Sequence, residues 1–89
     1  LREVQDELVE REIRDFVVSA DDAMHQVILK TSAGHASGVC EAIDQGEWPE
    51  IVGSVAGENT ILLITKSTNQ ARKTLRRVKR IMQEKRDST

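Results

Sequence analysis

Apolar and polar positions alternate along this chain with two different periods, and the switches between them mark out seven elements. Residues 2–15 contain no Gly or Pro and are rich in Glu and Arg, with apolar side chains at Val4, Leu8, Val9 and Ile13; this predicts a helix. The stripe is broad and drifts around the axis. Together with the acidic surface it implies a partly solvated helix, or a connector reaching from another domain. Phe16-Val17-Val18-Ser19-Ala20 and Val27-Ile28-Leu29-Lys30-Thr31 are β-branched or apolar runs around Asp21-Asp22, which predicts a hairpin turning at the two aspartates. Ser32-Ala33-Gly34 breaks the second strand. Ala36, Val39, Cys40 and Ile43 then recur at helical spacing, and Gly46 suits a left-handed helix end. Two further strands, near 51–56 and 60–65, flank the polar corner Gly57-Glu58-Asn59, where Gly57 is expected to open the backbone. Ser67-Thr68-Asn69-Gln70 has the form of a capping box, and Ala71, Thr74, Leu75, Val78, Ile81 and Met82 line one face of a final helix.

The order α-β-β-α-β-β-α predicts an α+β sandwich: a four-stranded, mainly antiparallel sheet with helices packed on one face. Residues 1–15 are expected to be a first helix or a connector from a missing half, because the chain starts at Leu1 rather than Met, and residues 16–89 to form the folded unit. With 89 residues, that unit buries a comparatively small share of its surface, which favours oligomerisation. There are only two aromatics, Phe16 and Trp48, so the core is built from Val, Ile, Leu and Ala. No apolar run approaches the roughly 20 residues that span a bilayer, and the lone Cys40 fits a reducing cytoplasm.

Charge is segregated. Residues 1–15 carry −3, residues 16–65 carry −6 with Lys30 as their only base, and residues 66–89 carry +7. The middle of the chain would attract a cation and the tail an anion or acidic neighbour. Ser37, Glu41 and Asp44, at i, i+4 and i+7, share one helix face, and Glu58 adds a carboxylate at the corner. A guanidinium, a planar fork of five donors, is the cation such carboxylates hold best. The basic residues Arg72, Lys73, Arg76, Arg77, Lys79, Arg80, Lys85 and Arg86 admit two readings: a phosphate-contacting patch, or a solvated helix whose cations complement its own dipole or pair with the acidic first helix. His25 and His35 have no partner at metal-ligand spacing, and Cys40 sits on an apolar stripe, so no metal site and no nucleophile is expected.

The segments Thr31-Ser32-Ala33-Gly34-His35-Ala36, Pro49-Glu50-Ile51-Val52-Gly53 and Ser54-Val55-Ala56-Gly57-Glu58-Asn59-Thr60-Ile61 resemble the C-terminal domain of bacterial arginine repressors over about residues 10–82. The resemblance implies trimers stacked into a hexamer, L-arginine held where trimers meet, and operator DNA bound by a separate winged-helix domain absent from this chain. It implies ligand contacts from Ala36, Ser37, Asp44, Ser54, Ala56, Glu58 and Asn59. Several of these depart from the family pattern. Glu58 and Asn59 stand where two aspartates are usual, Ser37 replaces a glutamine, Ser54 a threonine and Ala33 a proline. The implied function is an effector-sensing and oligomerisation domain of a cytoplasmic transcription regulator of arginine metabolism. The alternatives are a paralogue that assembles without sensing arginine and, weakly supported by the two isolated histidines, a small enzyme on a similar sandwich.

Overall fold

A computed structural model describes residues 2–87, with side chains described for residues 6–84; Val4, Lys85 and Arg86 fall outside the latter. The elements are α1 (Arg2–Phe16), β1 (Val17–Ala23), β2 (Gln26–Thr31), α2 (Ala36–Gly46), β3 (Ile51–Ala56), β4 (Thr60–Thr65) and α3 (Thr68–Asp87). The strands form one antiparallel sheet in the order β1-β2-β4-β3, as the α+β reading expects.

Alternation in the central strands sets the register. Val27 faces Leu63 and Leu29 faces Ile61 across β2 and β4, and all four are fully buried beneath the helices. The opposite sheet face carries Ile28, Leu62 and Ile64, each half-buried, and ends at exposed Val55 on the edge strand β3. From α2 come Ala36, Val39, Cys40 and Ile43, and from α3 Ala71, Thr74, Val78 and Ile81, to complete the core. The Thr74 hydroxyl is satisfied by donating to the Gln70 carbonyl one turn back. Ser67 caps α3 as the motif predicts, its Oγ accepting the Gln70 backbone N–H at 3.1 Å.

Four details differ from the expectation. Phe16 ends α1 rather than starting a strand, and the first hairpin turns at Met24-His25, not at Asp21-Asp22. The aspartates continue the strand opposite Ile28 and Val27, because burying Val27 and Leu29 forces pairing to run on through them. Met24 takes φ 59° at the displaced turn.

The left-handed residue closing α2 is Glu47 (φ 55°), not Gly46. Glycine is needed at 46 for a different reason: a Cβ there would sit 2.8 Å from Val9 Cγ2, so the residue lets α1 approach α2. At the β3–β4 corner, Gly57 does not adopt positive φ, whereas Gly34 does (φ 82°). On one side α1 packs into the core, with Val9 and Ile13 fully buried and Leu8 left exposed.

Candidate functional site

The corner between β3 and β4 is stitched to the start of α2 by its main chain. The Glu58 carbonyl accepts the N–H groups of Gly34 (3.1 Å) and Ala36 (3.4 Å), and the Asn59 carbonyl accepts that of Thr31 (2.8 Å). With both carbonyls turned into the fold, the Glu58 and Asn59 side chains are left exposed on a braced loop. Asn59 is tied locally: its Oδ1 accepts from Thr60 Oγ1 at 3.1 Å, and that hydroxyl in turn accepts from Lys30 Nζ at 3.0 Å. A cation of the chain itself therefore stands two hydrogen bonds from the amide.

Asp44 lies toward the other end of α2, over the middle of β3. Its Oδ1 accepts a 2.6 Å hydrogen bond from Ser54 Oγ, and Ser54 Oγ also accepts from the Cys40 thiol at 3.2 Å. This chain of three polar groups gives the buried thiol of Cys40 a structural role beside a carboxylate that retains free acceptor capacity. A shallow cleft next to it is lined by Asp44, Glu47, Trp48 and Ile51.

The other residues divide accordingly. Ser37 is exposed in the first turn of α2, near the corner. Ala36 is fully buried, so only its backbone faces the corner, where its N–H is already used. Ala56 is half-buried opposite Ile61 on the helix side of the sheet. Glu41 leans the other way and lines a groove between α1 and α2 with Leu8, Glu12 and Gln45. Within one chain, then, the fold joins Asp44 to Ser54 and Ser37 to the corner, but holds the two groups apart. Eight residues separate Ala36, which meets the corner, from Asp44, about 12 Å of helix rise.

Three contacts were not legible in the sequence. Phe16 and His35 stack with ring centroids 4.0 Å apart and planes 8° apart, so His35 meets an aromatic rather than an acid partner. Arg77 lies 3.9 Å over the Trp48 ring and pairs with Glu50 at 3.4 Å, anchoring α3 to the segment before β3. Arg14 of α1 bridges to Glu84 of α3 at 3.3 Å, the reverse polarity of the expected pairing between acidic α1 and basic α3. The Trp48-Pro49 segment signals packing, but no spacing rule links it to a base 29 positions later.

A family model described as arginine repressor, C-terminal domain, matches residues 13–80. The chain is 45% identical over 74 residues to an arginine repressor of Koribacter versatilis, covering 83% of this chain and 50% of that protein. It is 42% identical over 72 residues to that of Pelotomaculum thermopropionicum (81% and 48%) and 37% identical over 78 residues to that of Heliobacterium modesticaldum (88% and 51%). The chain spans about half the length of these relatives. By sequence match over most of its length, the chain belongs to the family of arginine repressor C-terminal domains.

Proposed function

We propose that this chain is the effector-sensing and oligomerisation part of a cytoplasmic transcription regulator of arginine metabolism, not an enzyme, and that its L-arginine site is built from two subunits. The observation that carries this reading is the separation of the two acidic groups. Asp44 and the Glu58-Asn59 corner stand at opposite ends of α2, each exposed and each held by hydrogen bonds. The corner of one subunit set against the Asp44 region of another would bring both acidic groups to one guanidinium. Ser37, the Ala36 backbone and the Ser54-Ala56 strand then frame the pocket. Its opposed carboxylates repel one another in the empty assembly, and a bound cation relieves that repulsion and couples ligand to assembly.

The helix-free face of the sheet supports self-association. Ile28, Leu62 and Ile64 run into exposed Val55, and Val52 is 60% exposed on the same edge strand. Covering this surface with further copies would bury apolar area that one subunit cannot bury alone. Trimers paired into a hexamer are the proposed arrangement, with operator DNA read by a separate domain.

A second reading, assembly without arginine sensing, draws on one observation: Lys30 reaches the corner through Thr60, adding positive charge where a cation would bind. Calorimetric titration of the assembled protein with L-arginine, L-lysine and L-citrulline separates the two. The first reading predicts saturable, arginine-selective binding, with neutral citrulline much weaker. Absence of arginine binding by a correctly assembled oligomer would establish the second.

A further inference from the structure

A cleft of about 680 Å³ runs between Pro49-Glu50 and the stretch from Lys66 to Arg80, and its walls carry Lys66, Lys73, Arg77 and Arg80 together with Ser67 and Gln70. The sequence has no acidic residue from Lys66 through Gln83. Glu50, the one acid in the cleft, is committed to Arg77, which is also stacked on Trp48. Among the described residues, Lys66, Lys73 and Arg80 form no ion pair, which leaves three uncompensated cations on one wall.

The character of the lining indicates the partner. Pro49 is its only apolar residue, so the cleft lacks the dehydrated apolar centre of a protein–protein contact. Cationic side chains beside hydroxyl and amide donors are instead the groups that hold a phosphodiester backbone. Lys73 and Arg80 are two turns apart on α3, about 10 Å, the axial rise of about three phosphates on one DNA strand. We propose that this cleft binds the phosphate backbone of double-stranded DNA directly, giving the domain a sequence-independent grip on nucleic acid separate from any operator-reading domain. The family assignment enters only in the choice of DNA as the polyanion, and arginine binding is not required.

The test is fluorescence anisotropy of a labelled duplex of scrambled sequence, titrated with the 89-residue chain without arginine over about 50–200 mM salt. The double variant K73Q/R80Q is compared with R72Q/K79Q, which removes the same charge from α3 at side chains that do not line the cleft. All four side chains are exposed, so both variants should fold, and thermal melting checks that they do. The expected result is a loss of about tenfold for K73Q/R80Q, with the slope of log affinity against log salt reduced by about 2, and a change of less than about twofold for R72Q/K79Q. Equal losses for the two pairs would reduce the effect to net charge and overturn the proposal, as would no binding of DNA by the unaltered chain at low salt. Tight binding of poly-L-glutamate in place of DNA would also overturn it, by assigning the cleft to an acidic protein.

Discussion

Ser54 on β3 donates a 2.6 Å hydrogen bond to Asp44 on α2, and this contact fixes the carboxylate over the sheet. A hydrogen bond to a charged acceptor contributes roughly 1.5–3 kcal/mol when shielded, and the exposure of Asp44 reduces that. Ser54→Ala should therefore destabilise the fold by about 1 kcal/mol in urea titration and weaken arginine binding by releasing Asp44. Ser54→Thr keeps the hydroxyl and should behave like the parent. Equal stability of the Ala and parent proteins would remove the contact from the account.

Gly46 gives a test with a counterintuitive sign. Ala is ordinarily the better helix former by about 1 kcal/mol. Here its methyl would fall 2.8 Å from the stiff Val9 side chain, at the point where α1 meets α2. Gly46→Ala should lower stability by about 1–2 kcal/mol. In a double-mutant cycle with Val9→Ala, the two losses should be less than additive, because removing the Val9 methyls removes the clash. Strict additivity would place the strain elsewhere.

The corner predicts a gain rather than a loss. Asn59→Asp restores a second carboxylate on a loop whose backbone is already braced by Thr31, Gly34 and Ala36. Arginine affinity should rise by about fivefold to tenfold, and oligomer mass measured by light scattering should become more dependent on arginine. Lys30 limits the gain by supplying a competing cation through Thr60. An unchanged affinity would mean that the side chain at 59 does not face the ligand.

What was legible in the sequence follows from where local and long-range forces agree. The 3.6-residue stripes of α2 and α3, the Ser67 cap and the β3–β4 pair were all readable, since the buried positions there follow one period. The first hairpin misled because Asp21-Asp22 is a strong local turn signal, overridden by the burial of Val27 and Leu29 on β2, one strand in from the edge. Gly46 carried a cap signal but serves helix contact, which depends on Val9, 37 positions earlier. Of the site, the residue types were visible, but their grouping was not. Asp44 with Ser54, and Ser37 with the corner, are products of how α2 lies along β3, and spacing within α2 alone suggested that Glu41 and Asp44 act together.

The proposal that arginine is held between subunits is tested most directly by mixing two disabled chains. Asp44→Ala and Glu58→Gln should each bind L-arginine at least about tenfold more weakly, since each removes a charge-assisted partner. Co-refolded in equal amounts into mixed oligomers, they should recover about a quarter of the parent's tight sites by calorimetry, because random pairing brings an intact Asp44 face against an intact Glu58 corner in that share of junctions. No recovery in mixed oligomers of the parent's size would contradict a site shared between subunits.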